Sequence, residues 1–114
     1  MIHLIREKAT PQQMTEMLDC LGTYIKLAVD IRRKILAGGG ILHADCEAEL
    51  LKDGSRQEDI WGADWFPDSQ EVGFEALINI RPHQNNPAME IGIGRCFPYY
   101  SRYPDWYLRF RYVA

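Results

Sequence analysis

Tyr24-Ile25-Lys26-Leu27-Ala28-Val29-Asp30-Ile31 places Ile25, Leu27, Val29 and Ile31 on one side of an extended chain and Tyr24, Lys26, Ala28 and Asp30 on the other. Side chains of a strand alternate between faces, so this period of two marks a strand buried on one face. The same alternation recurs from Ile41 to Leu51. There Leu42, Ala44, Cys46, Ala48 and Leu50 form the apolar side, and His43, Asp45, Glu47 and Glu49 the polar one. It recurs again from Val72 to Arg81, with Val72, Phe74, Ala76, Ile78 and Ile80 on the apolar side. Three such runs imply one antiparallel sheet with a dry face and a wet face.

Working outward, Ile2-His3-Leu4-Ile5-Arg6 reads as a short strand. Thr10-Pro11-Gln12-Gln13 then announces a helix: Thr10 can cap, Pro11 suits the first helical position and Gln13 can reach back to the cap. Met14, Met17, Leu18 and Leu21 follow in one stripe, and Gly22 is the expected stop, so this helix should cover the dry face. Arg33-Lys34 is the expected hairpin turn, with Ile35-Leu36-Ala37 starting the return strand. The triplet Gly38-Gly39-Gly40 reads as a bulge, a bend or a close backbone approach. A phosphate cradle would need a helix after the glycines, whereas the pattern here continues as a strand and lacks Gly-Lys-Ser/Thr. Lys52-Asp53-Gly54-Ser55 and Pro67-Asp68-Ser69-Gln70 are turns flanking an aromatic strand, Ile60 to Phe66.

The fold class that results is α+β: a short strand, a covering helix, then a four-stranded antiparallel meander. It spans residues 1–91 as a single domain. From Gly92 the composition changes. Eight aromatics and four arginines (Arg95, Arg102, Arg109, Arg111) stand against one acid, Asp105, so 92–114 reads as an aromatic and basic tail whose order the pattern does not define. Leu108, Phe110 and Tyr112 alternate with arginines, which suggests a last strand. Because sheet and helix close without this tail, truncation at Ile93 is expected to leave a folded protein.

A chain of 114 residues is one domain on size grounds. A net charge of -3 gives no global attraction to nucleic acid. No apolar run approaches the ~20 residues of a membrane helix, and the start, with Arg6 so early, is not a signal peptide, so the sequence points to a cytoplasmic protein without a membrane partner. Three cysteines at unrelated spacings are neither a disulfide framework nor a metal pair, and Cys46 falls on an apolar position.

The chemistry concentrates on the polar side. On a strand, His43, Asp45 and Glu47 would lie ~7 Å apart in a row. An imidazole with two carboxylates can act as acid and base, or hold a divalent metal if the side chains lean inward. Asp30 faces them if the hairpin turns at Arg33-Lys34, with Asp64, Asn79 and Arg81 on neighbouring strands as ligand-binding candidates. Trp61 and Trp65, four apart, share a face and would suit stacking against a base or sugar, though such a pair more commonly packs a core. Two function classes follow. One is a binding or accessory protein, open to homodimer formation, that uses the polar sheet face or a sheet edge. The other is a small hydrolase, compact and ribonuclease-like, with His43, Asp45 and Glu47 as its catalytic set. The arginine-aromatic tail is the feature that would suit RNA.

Taken together, Val29-Asp30-Ile31, Leu36-Ala37-Gly38-Gly39-Gly40, His43-Ala44-Asp45-Cys46-Glu47, the run Gly54 to Trp65 and Phe74-Glu75-Ala76-Leu77-Ile78-Asn79-Ile80-Arg81-Pro82 resemble a small bacterial family of unknown function, seen often in cyanobacteria. The likeness covers about residues 1–91. It implies a shared fold and transfers no catalytic residues. It stops at the tail, where such proteins carry a charged amphipathic helix.

Overall fold

The computed structural model describes residues 1–90 and 105–113. In chain order the elements are β1 (His3–Ile5), α1 (Pro11–Leu18), β2 (Ile25–Asp30), β3 (Ile35–Gly40), α2 (His43–Lys52), β4 (Ile60–Phe66) and β5 (Glu71–Gly73). Among the described residues, short 3-10 segments accompany them at Gln57–Asp59, Leu77–Asn79, Pro82–Gln84 and Asp105–Arg109. The strands form one antiparallel sheet in the order β1-β3-β2-β4-β5, and the protein is α+β. No helix among the described residues is long and apolar enough to cross a membrane.

The order is not that of a meander. β3 and β4 both run antiparallel to β2 and flank it, so they are parallel to each other. Parallel strands need a long crossover, usually helical, and α2 provides it. The stretch from Ile41 to Leu51, expected as a strand, therefore folds as a helix. Cys46 and Leu50, one turn apart, are buried, while Leu42, Ala44 and Ala48 are exposed. Ala, Glu, Leu and Lys favour a helix, and Asp45 accepts a hydrogen bond from the Leu42 N–H at 3.2 Å to close its first turn. The expected strand to Arg81 stops at Gly73, for a reason that lies in the site.

Because α2 crosses over it, the sheet has no wet face. Ile25, Leu27, Val29, Ala63 and Trp65 pack with Met14 and Met17 of α1 on one side. Ala28, Ile35, Ala37 and Ile60 pack with Cys46 and Leu50 of α2 on the other. Every residue of β3 is buried, as expected of a strand covered on both faces.

The glycine triplet makes these approaches close. The register shifts between Lys26 and Leu27, opposite Gly40 and Gly38, which leaves Gly39 bulged at φ +105°. A Cβ at Gly38 would lie 2.5 Å from Leu27 Cδ2, and one at Gly40 would lie 3.2 Å from Cys46 Sγ. Bulge and close approach are both present. A helix does follow the triplet, contrary to the sequence reading, but the Asp45 carboxylate occupies its first turn. α1 begins as expected, with Thr10 Oγ1 accepting from Gln13 N at 3.1 Å and Gln13 Oε1 from Thr10 N at 2.9 Å. Met14 and Met17 are core side chains at 1% exposure.

The end of the chain joins the same core. Trp106, Phe110 and Val113 are buried in it, with Phe110 stacked on Trp65 at 5.8 Å between ring centres. Ala9 N donates to Arg109 O at 2.9 Å, and the Arg109 guanidinium donates to the carbonyls of Ile5 and Lys34. The strand expected over Leu108 to Tyr112 is instead the 3-10 segment Asp105–Arg109 and the turn after it. Glu90 makes one antiparallel bridge to Glu75. Ile91, Arg95, Cys96, Phe97 and Arg102 lie outside the described residues.

Cys46 is fully buried, its Sγ donating to Lys26 O at 3.4 Å, and burial pushes its thiol up to about 11. Cys20 is exposed. Iodoacetamide at pH 8 is therefore expected to alkylate Cys20 and spare Cys46 in the folded protein. Between the ordinary value of 9.0 and about 11 the unfolded chain loses this proton and the folded one keeps it, so stability should fall across that window. The fall should be shallower in Cys46→Ala, read by urea denaturation at pH 8 and pH 10.5.

Candidate functional site

In a helix, residues four apart share a face, and those two apart do not. His43 and Glu47 therefore both turn toward β4 and the segment 74–90, while Asp45 turns away. His43 Nε2 lies 2.8 Å from Asp64 Oδ1 and 3.1 Å from Ala63 O. Both neighbours are acceptors. In the neutral ring Nε2 thus carries the hydrogen, and Nδ1 keeps the lone pair. Asp64 projects from the α2 side of β4, and its cross-strand partner on β2 is Lys26. The pair forms one wall of a 410 Å³ cleft. Lys26, Tyr24, Glu75 and the apolar Leu42, Leu77 and Met89 complete much of the lining. Tyr24 is steadied by stacking on Phe66 at 5.4 Å.

One turn along α2, Glu47 meets Arg81. Both are buried, with Arg81 Nη2 donating to Glu47 Oε2 at 3.4 Å. Arg81 also donates from Nη1 to Gln57 O at 2.7 Å and from Nε to Ile78 O at 2.8 Å. Its guanidinium carbon stands 4.6 Å over the Trp61 ring. Burial raises the Glu47 carboxyl above its ordinary value, partly offset by Arg81, and lowers the Arg81 guanidinium. A second cleft of 610 Å³ opens here, with Arg56, Glu58 and His83 on its rim.

Between the two clefts stands the turn Leu77–Asn79. Asn79 is fully buried, and its amide does the work of a neighbouring strand. Asn79 Oδ1 accepts from Gly62 N at 2.7 Å, and Nδ2 donates to Gly62 O at 3.0 Å. The same Nδ2 reaches the carbonyls of Phe74 and Met89, and Asn86 Nδ2 donates to Asn79 O at 2.7 Å. Backbone pairing of β5 with β4 therefore ends at Asp64↔Gly73, and a side chain takes over. A Cβ at Gly62 would collide with Ala76 Cβ and press on Ile78 Cγ1 at 3.1 Å and His43 Cδ2 at 3.3 Å. Gly62→Ala is expected to cost ~1–3 kcal/mol through overpacking and to shift the 74–90 resonances in an NMR spectrum while sparing those of α1.

Of the eight candidate residues, six gather along one seam between α2, β4 and 74–90: His43, Glu47, Trp61, Asp64, Asn79 and Arg81. Two do not. Asp45 caps its own helix. Asp30 sits at the hairpin, where Oδ1 accepts from Arg32 N at 2.9 Å and Arg33 N at 2.8 Å. The set His43, Asp45 and Glu47 is thus not assembled, because α2 is a helix, in which Asp45 points away from the side that His43 and Glu47 share. Trp61 and Trp65 are both fully buried and offer no stacking platform. Among the described residues, no three His, Cys, Asp or Glu side chains are placed to hold a metal ion. Lys26, Tyr24 and Glu75 were missed as site residues. The signal for Lys26 was present in the β2 alternation, which puts it on the side of Asp30.

Searches of curated proteins and of solved structures found no match, and nothing in them supports a hydrolase. A family match does exist, over residues 3–94, which contains all of the seam and ends within the unassigned tail. The chain belongs to the family described as "Protein of unknown function (DUF5674)".

Proposed function

We propose that this protein is a small binding module, and that its ligand occupies the cleft beside His43 and Asp64. One observation carries the reading. A hydrogen-bonded His–Asp pair stands on the wall of a 410 Å³ cleft whose other charged side chains, Lys26 and Glu75, form no ion pair with a described residue. Clefts of a few hundred Å³, mostly apolar with a few convergent polar groups, are the usual form of small-ligand sites. The site moves from the polar sheet face, which α2 covers, to the edge of that helix. A cytoplasmic location accords with the free thiols of Cys20 and Cys46.

The test is a fragment screen followed by nitrogen-15 NMR on the full chain. Shifts should cluster at Lys26, His43, Asp64 and Glu75, and His43→Ala should abolish them while leaving the remaining spectrum folded. Hits that map to the 610 Å³ cleft around Arg56 and His83, or no hits at all, would overturn the proposal.

A further inference from the structure

Resting on that cleft reading, we infer that the ligand is a zwitterion with an apolar side group, of the class of a free aliphatic α-amino acid. The charges of the lining carry the argument. Lys26 supplies a cation on β2, and Glu75 an anion on the segment that faces α2; both line the cleft, and neither is within ion-pairing distance of a described charge. Asp64 is engaged by His43. A purely anionic ligand would meet the carboxylates of Asp64 and Glu75 with only Lys26 to offset them. A purely cationic ligand would strip water from Lys26 without compensation, which is costly. A molecule bearing a carboxylate and an ammonium answers both, placing the carboxylate toward Lys26 and the ammonium toward Glu75.

The rest of the lining sets the side group. Leu42 is 55% exposed, Leu77 73% and Met89 44%, and all three line this cleft. Large apolar side chains held at a cleft are the surface that an aliphatic or thioether side chain would cover. A longer hydrogen-bonding side chain finds few partners, since among the polar side chains of the lining only the Tyr24 hydroxyl is left once the two charged ends and the His–Asp pair are assigned.

The experiment is an NMR titration of the full chain with L-leucine as probe, beside N-acetyl-L-leucine, which lacks the cation, and L-leucinamide, which lacks the anion. L-leucine should shift the amides of Lys26, His43, Asp64 and Glu75 saturably, and each blocked form should bind at least about tenfold more weakly, the loss expected for one charge-assisted hydrogen bond. Lys26→Met should weaken L-leucine more than L-leucinamide, and Glu75→Gln should weaken it more than N-acetyl-L-leucine. Both side chains are solvent-accessible, so these variants should keep the wild-type fold, as judged by the rest of the spectrum. Equal binding of the blocked forms would overturn the zwitterion while leaving the cleft reading standing. So would silence from L-leucine when screening fragments still shift the cleft. Silence from both would overturn the two together.

Discussion

Arg81→Met is expected to cost about 3–5 kcal/mol, because it breaks a buried ion pair from one side. The guanidinium joins Glu47, the Trp61 ring and the carbonyls of Gln57 and Ile78, so its loss strands a carboxylate and two acceptors among buried neighbours. The pH dependence distinguishes this cause from simple loss of packing. Glu47 titrates above its ordinary 4.5 in the folded protein, so the fold holds this proton more tightly than the unfolded chain does. Its contribution is fully favourable below 4.5 and is lost as pH rises through the folded value. Arg81 opposes that rise. Without it the carboxyl should move further up, and the deficit of Arg81→Met should be larger at pH 7 than at pH 4.5. Glu47→Gln in the same background should recover part of the loss at pH 7. Urea denaturation of the wild type and the two variants at both pH values is the measurement, and a deficit independent of pH would assign the cost to packing alone.

Phe110→Ala is expected to cost about 3–5 kcal/mol, the range for deleting a buried aromatic side chain. Phe110 is fully buried, stacked on Trp65 and met edge-on by Trp106 at 6.2 Å. Truncation at Ile93 removes Trp106 and Val113 as well, together with the Arg109 bonds to Ile5, Ala9 and Lys34, and should destabilise the remainder at least as much. A truncated chain with an unchanged melting temperature would show that the sheet and α1 close without these side chains. The expectation drawn from composition was the opposite. A basic, aromatic stretch looks separable when its partners, Ile5, Ala9 and Trp65, are more than forty residues away in sequence and no periodicity announces them.

What the sequence disclosed follows the range of the interactions involved. α1 was legible because Thr10, Pro11 and Gln13 specify a helix start among themselves. β2 was legible because alternation is a local pattern, and β4 because its aromatic run is bounded by turn residues on both sides. α2 was misread because Cys46 and Leu50 satisfy periods of two and of four alike. The tie rested on Ala44 and Ala48, which count as apolar yet bury readily or stay exposed at little cost. The bend after Gly73 was invisible, since it is decided by Asn79 reaching Gly62 across seventeen positions. In the site, Glu47 and Arg81 were both named as candidates, but their pairing depends on the helix that turns Glu47 toward β4 and 74–90. His43 with Asp64 required the helix, which alone turns residues 43 and 47 to one side and 45 to the other.

Asn79 has a further consequence for how this sheet ends. A bare strand margin is a template: two aligned backbone groups suffice to seed pairing with a foreign chain. At Gly62 both groups are already taken, by an amide that cannot itself be extended into another strand. The sheet is thus terminated chemically as well as by running out of sequence, and this one side chain acts as a stopper against stacking of copies. Its replacement by alanine would uncover the template at the position with the least side chain to obstruct a newcomer, so the first symptom in a cell would be insoluble protein.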